Sequence, residues 1–397
     1  RRGISYLLIL AREDPDFYRR FLSIEVITES PEQKWSFDRE FALAPLSVQV
    51  VILPPDYQPP NGTRFKARAL HYIVEMRRRG FNRKPGRTVI VHYDEESVMS
   101  PLELRRLFFF LAQTDKKLTE GPIYYPLDYF DASIFCRAME ANRPIGCFEC
   151  RAVMEKGVPL HLHGSNLVVD EDLENELGWD IGTLNGQPFI TEDYVFGINA
   201  YLKYGSSIFG WHGCVMLEQP PFSIKSAFKQ RYRWIVGVLQ GLEMMKHMPA
   251  YKHLNWYLKL RLVQGTRYRL MTFAFSFPAG IISLLYISYH GISFALGDNW
   301  SPLPFPLMLY ATIIGLLWLN AFFIGAWYNI TSIHKLNPFQ AIVEMANIVT
   351  VAPFASIIES SAAFWAVLRW NMGKRTVSWK ITPKTIAADK AALEGKS

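Results

Sequence analysis

The sequence contains few cysteines, and their spacing is not that of a metal or disulfide framework. Cys136, Cys147, Cys150 and Cys214 are the only four in 397 residues. Cys147 and Cys150 form a CxxC, but a structural zinc site needs a second such pair, and the sequence around this one is not thioredoxin-like. We therefore interpret all four as packed, reduced thiols rather than as a zinc or redox site.

The sequence also lacks a nucleic-acid-binding motif, although the chain is basic. Its net charge is +7, and Lys and Arg cluster in residues 77–79, 225–233, 259–269 and 369–390. Basic clusters without such a motif favour an anionic lipid surface or a polyphosphate ligand over duplex DNA. Membrane lipids are therefore an expected partner, and nucleic acid is not.

Charged side chains are absent from two long apolar stretches, residues 270–292 and 306–330. Each stretch is long enough to cross the hydrocarbon core of a bilayer, so both are predicted to be transmembrane helices. The loop between them contains one acidic residue, Asp298, and no Lys or Arg. The positive-inside rule places this loop outside and the preceding part of the chain in the cytosol, at the plasma or inner membrane if the protein is bacterial.

A third apolar stretch, residues 341–370, contains Glu344, Glu359 and, near its middle, Pro353. A third crossing would put the basic tail on the outer side, against the positive-inside rule. We therefore predict an interfacial or re-entrant helix pair that returns the tail to the cytosol, with a simple third crossing as the alternative. The chain begins at Arg1 without a methionine. The sequence therefore leaves open whether further membrane helices precede this residue.

Short apolar runs alternate with a helical pattern in the first 100 residues. Residues 4–10, 23–28, 48–53 and 88–92 have the Ile, Val and Leu content of buried strands, and residues 65–78 place apolar side chains on one helical face. This alternation predicts an α/β fold with an open, largely parallel sheet. Ligands bind such sheets at the C-terminal ends of the strands.

An acidic triplet, Asp94-Glu95-Glu96, follows the last of these strands. Alternate carboxylates at a strand end, here Asp94 and Glu96, can converge on one divalent cation that bridges the phosphates of a ligand. The triplet alone is weak support for a metal site, because acidic residues after a strand commonly form a solvated turn.

A second acidic string, Thr191-Glu192-Asp193, opens a helical pattern further along the chain. The simplest interpretation is a helix N-terminus at which Thr191 caps and the two acids meet the helix dipole. A carboxylate held at that position is also well placed to take a proton from a sugar hydroxyl as the hydroxyl attacks.

The most distinctive string is Gln230-Arg231-Tyr232-Arg233-Trp234. An arginine beside a tryptophan offers a bidentate contact for pyrophosphate next to a flat ring on which a sugar can stack. The alternative is a membrane-surface helix whose arginines meet lipid phosphates and whose tryptophan lies at the interface.

The order of these features, followed by transmembrane helices, resembles the membrane-bound family 2 glycosyltransferases, such as cellulose, chitin and hyaluronan synthases. Within that family the chain looks like the egghead-type β-1,4-mannosyltransferases, through residues 24–29, 65–70, 92–97 and 164–169. The resemblance implies a GT-A-like, Rossmann-type cytosolic domain over residues 1–222, interfacial helices over 223–265, a membrane region over 266–370 and a basic cytosolic tail over 371–397.

The same resemblance implies roles for individual side chains. Asp193 would be the catalytic base, and Asp94 and Glu96 would hold a divalent metal, Mg²⁺ or Mn²⁺; the wider family has Asp at the position of Glu96. The residues implied in nucleotide-sugar binding are Glu29, Lys66, Asp94, Gln230, Arg233, Thr382 and Lys384, the last two in a tail segment similar to the gating loop of cellulose-synthase-like enzymes. Those implied in acceptor binding are Gly164, Ser165, Glu192 and Trp234.

The implied reaction is an inverting transfer of a sugar from GDP-mannose or UDP-glucose to a lipid-linked or glycan acceptor, which gives a β linkage. Two alternatives stay open. One is a processive polysaccharide synthase, which needs a transmembrane channel, whereas only two uninterrupted spans are predicted here. The other is a non-catalytic glycosyltransferase-like subunit of a membrane complex, which the acidic and basic residues at the motif positions argue against.

Overall fold

The computed structural model describes residues 1–82, 86–156, 162–297 and 305–375. By internal contacts the chain forms two compact units. The first unit comprises Arg1–Ile123, Cys150–Glu218 and Gly237–Lys259. The second comprises Tyr124–Glu149, Gln219–Val236 and the described residues from Leu260 onwards. These units are defined by packing and not by function. The division into a catalytic domain, interfacial helices, a membrane region and a tail, expected from the sequence, therefore stays a prediction.

The strands are short and lie almost entirely in the first unit. They are β1 (Ser23–Thr28), β2 (Ser47–Ile52), β3 (Val89–Val91), β4 (Val98–Met99), β5 (Leu118–Glu120), β6 (Ile123–Tyr124), β7 (Leu167–Asp170), β8 (Thr183–Leu184), β9 (Gln187–Pro188), β10 (Phe209–Trp211) and β11 (Met216–Leu217). Three of the four strands predicted before residue 100 are therefore present, as β1, β2 and β3.

Helices connect these strands and make up most of the second unit. They are α1 (Arg2–Glu13), α2 (Pro15–Phe21), α3 (Pro31–Phe41), α4 (Phe65–Arg78), α5 (Pro101–Gln113), α6 (Ile134–Ala141), α7 (Arg143–Lys156), α8 (Glu171–Leu177), α9 (Glu192–Tyr204), α10 (Ile224–His247), α11 (Pro249–His253), α12 (Trp256–Lys259), α13 (Gly265–Ala295), α14 (Phe305–Tyr328) and α15 (Pro338–Asn371). The helix predicted at residues 65–78 is confirmed as α4.

The sheets of the first unit are mixed. β1 and β2 pair in parallel, with α3 between them in the chain. In the larger sheet, of order β10-β5-β7-β3, β10 and β5 are parallel, whereas β7 is antiparallel to both β5 and β3. The α/β fold is confirmed, but the expectation of a largely parallel sheet is wrong. A strand buried on both faces is apolar whichever direction it runs, and β7 is apolar and buried up to its last residue, Asp170.

Residues 4–10 form part of helix α1, so the strand predicted there is wrong. The buried side chains of Ile4, Leu7 and Leu8 recur at helical intervals, while Ile9 is about half exposed. A short, continuous apolar run is compatible with a buried strand or with one side of a helix, and the run itself does not distinguish them.

In the described part of the chain, three helical stretches are long and apolar enough to cross a membrane. They are Trp256–Ala295, Met308–Ile333 and Pro338–Asn371. The first two contain most of the two spans predicted from the absence of charge. The third was expected as a helix pair interrupted at Pro353, and this is wrong, because α15 is one continuous helix. Proline is tolerated inside membrane-type helices packed against neighbours, and α13 likewise contains Pro278.

Both acidic residues of α15 are paired with arginines of the second unit. Arg137 Nε lies 2.9 Å from Glu344 Oε1, and Arg231 Nε lies 3.0 Å from Glu359 Oε1. Arg231 also forms an ion pair with Glu140 of α6. The two charges that argued against a third membrane helix are therefore compensated inside the protein, as ionisable residues in membrane helices usually are.

Candidate active site

Two loops meet at one end of the strand pair formed by β3 and β7. These strands are antiparallel, and their ladder continues past β3: the N–H of His92 donates to the carbonyl of Leu167 at 2.8 Å, and the N–H of Asn166 donates to the carbonyl of His92 at 3.0 Å. The chain leaving β3 and the chain entering β7 therefore lie at the same edge. We call them the acidic turn (residues 94–97) and the glycine loop (residues 163–166).

Both loops are held by hydrogen bonds within the protein. In the acidic turn, the N–H of Asp94 donates to Ser97 Oγ, and the N–H of Ser97 donates to the carbonyl of Asp94, both at 3.1 Å. In the glycine loop, Asn166 has a left-handed backbone with φ of 58°, which asparagine adopts more readily than most residues. Its Nδ2 donates to the carbonyls of Pro122 and Cys214 at 3.0 and 2.9 Å. The site is thus shaped by the fold itself.

Lys66 connects the two loops from the first turn of α4. Its ammonium forms an ion pair with Asp94 and donates a 2.9 Å hydrogen bond to the carbonyl of Gly164. The preceding residue, Phe65, has φ of 61°, a left-handed conformation that is an outlier for a bulky side chain. Backbone strain of this kind concentrates at functional sites.

The carboxylates of Glu192 and Asp193 reach the same place from the start of α9. A Cβ atom placed on Gly164 would lie 3.2 Å from Asp193 Oδ2, 3.3 Å from Lys66 Nζ and 3.7 Å from Glu192 Oε1. The first unit therefore brings together five of the residues predicted from the sequence: Lys66, Asp94, Gly164, Glu192 and Asp193.

Thr191 does not cap α9, so the interpretation of this segment as an ordinary capped N-terminus is wrong. Its side chain instead occupies the space left by Gly237 of α10, where a Cβ atom would lie 2.4 Å from Thr191 Oγ1. Gln240 of the same helix accepts from the N–H of Ile190 and donates to the carbonyl of Pro188, both at 3.1 Å. The C-terminal half of α10 therefore fixes the segment that leads to Asp193.

The ionisable side chains of this cluster shift one another's pKa values. Burial and then the charge of Glu192 raise the pKa of Asp193 to about 7. Burial disfavours the ammonium of Lys66, but Asp94, Glu192 and Asp193 outweigh burial and raise its pKa. A carboxylate with a pKa near neutrality, beside a group that stays cationic, suits a general base in a reaction of an anionic substrate.

We expect Gly164→Ala to lower kcat about tenfold or more while the melting temperature changes little. The backbone of Gly164 is not left-handed, so alanine fits it, but the new methyl group would press on Asp193 and Lys66 and move them by a few tenths of an ångström. Steady-state kinetics and thermal unfolding check this. Gly146→Ala is the control, because a Cβ there meets nothing within 4 Å. An unchanged kcat in Gly164→Ala would contradict the close contact of this position with the functional groups of Asp193 and Lys66.

Glu218, which follows β11, belongs to this site and was missed from the sequence. It is 6% exposed, and its Oε1 accepts from Ser97 Oγ at 2.8 Å and also from Ser165 Oγ. Burial and then the charges of Asp94 and Glu96 raise the pKa of Glu218 to about 7. The hydroxyl of Ser165, predicted to contact the acceptor, is therefore engaged inside the protein. No motif or spacing in the sequence marks Glu218.

The Gln-x-x-Arg-Trp residues lie on α10, in the part that belongs to the second unit. Gln230 Oε1 accepts from Arg231 Nη1 at 2.8 Å. The guanidinium carbon of Arg231 lies 4.6 Å from the centre of the Trp234 ring, and that of Arg143 lies 5.9 Å from it. Arg231, for which the sequence suggested no ligand contact, thus organises the motif, whereas Arg233 stays the predicted ligand contact.

Glu29 is not part of the cluster around Gly164. The side chain of Glu29 is 73% exposed, and its Oε1 lies 3.2 Å from Nη2 of Arg68. Thr382 and Lys384 lie outside the described residues, so the gating-loop assignment stays a prediction.

A mixed α/β domain with this edge of converging acidic and basic groups, together with apolar helices that could span a membrane, fits the class of membrane-bound family 2 glycosyltransferases. Residues 89–325 match the model of glycosyl transferase family group 2, and the chain belongs to that family. The resemblance drawn from the sequence motifs is therefore confirmed.

Two proteins to which the chain is similar are named β-1,4-mannosyltransferases. The enzyme egh of Drosophila melanogaster is 21% identical over 325 residues, which are 81% of this chain and 64% of the fly protein. The enzyme bre-3 of Caenorhabditis elegans is 26% identical over 209 residues, which are 52% of this chain and 44% of the worm protein. This chain thus spans less than two thirds of the length of either relative.

Enzymes of this family typically use a divalent metal, and the acidic turn fits one. Carboxylate oxygens are the ligands that such hard cations prefer, and a magnesium site commonly has one or two carboxylates completed by substrate phosphates. Asp94 and Glu96 would supply these carboxylates, and the charges of both act on Glu218. Among the described residues no three His, Cys, Asp or Glu side chains form a metal site by themselves. The donor set therefore suits a cation shared with a diphosphate.

Proposed function

We propose that the chain is an inverting glycosyltransferase that moves a sugar from a nucleoside-diphosphate sugar to a lipid-linked or glycan acceptor with a β linkage. The observation that carries this proposal is the convergence of Asp193, Lys66 and the acidic turn at Gly164. It places a carboxylate of raised pKa beside a cation that can meet phosphate. GDP-mannose is the donor we favour, because the relatives are named mannosyltransferases; UDP-glucose is the alternative.

The proposed reaction is a single displacement. Asp193 takes the proton of an acceptor hydroxyl, and the hydroxyl oxygen forms a bond to the anomeric carbon of the donor sugar. The bond from that carbon to the diphosphate oxygen breaks, and the nucleoside diphosphate leaves with the electron pair. Attack from the side opposite the leaving group turns an α-linked donor into a β-linked product.

Positive charge near the diphosphate favours its departure. Lys66 supplies one cation, which requires that it exchange part of its contact with Asp94 for a phosphate oxygen. A divalent metal held by Asp94 and Glu96 would neutralise further charge when bound. On the motif resemblance, the remaining proposed contacts are Glu29, Gln230, Arg233, Thr382 and Lys384 with the nucleotide sugar, and Gly164, Glu192 and Trp234 with the acceptor. The buried hydroxyl of Ser165, which donates to Glu218, is left out of the acceptor contacts.

We further propose that the first unit faces the cytosol. Residues 293–305, between the first two apolar stretches, contain no Lys or Arg, whereas residues 259–269, before the first stretch, are basic. Positive charge is retained on the cytosolic side of membrane helices.

A donor screen tests the function. Membranes containing the protein are incubated with Mn²⁺ and one labelled nucleotide sugar at a time, and the lipid and glycan fractions are analysed by mass spectrometry. We expect GDP-mannose to add one hexose to an acceptor, and glycosidase digestion to show a β linkage. If only UDP-glucose gives a product, the donor is UDP-glucose and not GDP-mannose. Long polymers would favour the processive alternative, and no transfer from any donor would contradict the proposal.

A further inference from the structure

The carboxylate of Glu218 is buried and has no part in the displacement described above. Burial of a carboxylate is costly unless hydrogen bonds or an opposite charge compensate it. The charges that act most on Glu218 are those of Asp94 and Glu96, both negative, and its hydrogen bonds come from two serines. A core position with no functional constraint would be served better by an apolar side chain.

The two serines link Glu218 to both loops of the site. Ser97 closes the acidic turn: its Oγ accepts from the N–H of Asp94 and donates to Glu218 Oε1. Ser165 follows Gly164, whose carbonyl accepts from Lys66, and its Oγ donates to the same oxygen of Glu218. Ser97 and Ser165 are 1% and 2% exposed, so water does not compete for these bonds.

We propose that Glu218 is a positioning residue for the divalent cation: it fixes the acidic turn through Ser97 and adds a negative charge that favours a cation at Asp94 and Glu96. The inference rests on the proposed metal-dependent function. It assigns Glu218 no direct bond to the metal. Groups that orient metal ligands in this way commonly change metal affinity by about 10- to 100-fold when they are substituted.

Mn²⁺ binding to the detergent-solubilised full chain tests this without sugar transfer. Free Mn²⁺ is followed by electron paramagnetic resonance during titration with saturating GDP, and with UDP in a parallel series. Glu218→Gln keeps an oxygen that accepts from both serines but removes the charge, and we expect the Kd for Mn²⁺ to rise about tenfold. Ser97→Ala keeps the charge but cuts the link to Asp94, and we expect a rise of about threefold or more.

Glu103→Gln is the matched control. Glu103 Oε2 accepts from the N–H of Val215 at 2.9 Å and so braces the chain segment that leads to Glu218, without touching either loop. We expect its Kd to stay within about twofold of the wild type. Equal weakening by Glu103→Gln would reveal a general loosening of the segment and overturn the inference.

The remaining outcomes separate this inference from the proposed function. If wild type binds Mn²⁺, Asp94→Asn abolishes binding, and both Glu218→Gln and Ser97→Ala bind like wild type, the inference alone fails. If the wild type binds no Mn²⁺ with either nucleotide, both the proposed metal-dependent function and the inference about Glu218 fail. Should Glu218→Gln not fold, Ser97→Ala decides, because it removes only a small hydroxyl.

Discussion

Asp193→Asn is expected to lower kcat by about 10²- to 10⁴-fold, while the Kd for the nucleotide sugar changes less than threefold. The amide has nearly the shape of the carboxylate but cannot take a proton, so the acceptor hydroxyl would attack without a base. The donor contacts proposed for Lys66 and the acidic turn remain. Single-turnover transfer measures the chemical step, and titration with a non-hydrolysable donor measures binding.

Asp172→Asn is the matched control for this substitution. Asp172 also lies in the first turn of a helix of the first unit, α8, but is exposed to solvent. We expect wild-type kcat in this variant. Turnover of Asp193→Asn within threefold of the control would show that Asp193 is not the base.

The raised pKa of Asp193 adds a pH dependence with a definite sign. The base must be ionised, so kcat/KM is expected to rise with pH up to about 7 and then level off. For stability the sign is opposite: a carboxyl group whose pKa is higher in the folded state stabilises the fold at low pH and loses this contribution as the pH rises through about 7. At pH 8, Asp193→Asn should therefore melt no lower than wild type. A fall in its melting temperature would instead attribute the lost activity to unfolding.

The sequence located most of the candidate site, because its chemistry is carried by short strings with fixed spacing. The sequence motifs point to Asp94, Gly164 and Asp193 separately, and in the fold all three lie in the cluster around Gly164. The meeting of Asp94 with Gly164 depends on the antiparallel pairing of β3 with β7. That pairing joins strands that are far apart in the sequence. The composition of an apolar strand does not show in which direction it pairs, so the sequence predicted a largely parallel sheet instead.

A residue that acts only through hydrogen bonds to its neighbours carries no such sequence motif. Glu218 is a single acid between Leu217 and Gln219, and only the fold shows that two serines from distant segments converge on it. For the same reason the sequence does not show which buried charges are compensated by a partner. Glu344 and Glu359 look like interruptions of an apolar helix until their arginine partners are known.

Substitution of Arg231 by alanine is expected to destabilise the second unit by about 3–5 kcal/mol. The side chain is 6% exposed and pairs with Glu140, which is 2% exposed, and with Glu359. Removing the guanidinium leaves a buried carboxylate without its counter-charge and takes one cation from the face of Trp234. Thermal unfolding in one detergent should show a fall in melting temperature on the order of 10 °C.

Lys229→Ala provides the control, since Lys229 lies two residues earlier on the same helix and is exposed. Its expected effect is within about 0.5 kcal/mol. The double variant Arg231→Met with Glu140→Leu removes both charges of the Arg231–Glu140 pair but leaves Glu359 without its arginine, so we expect it to recover part of the lost stability. Equal melting temperatures for Arg231→Ala and Lys229→Ala would contradict the pairing. Recovery of stability without recovery of kcat would show that Arg231 also positions Trp234 for the acceptor.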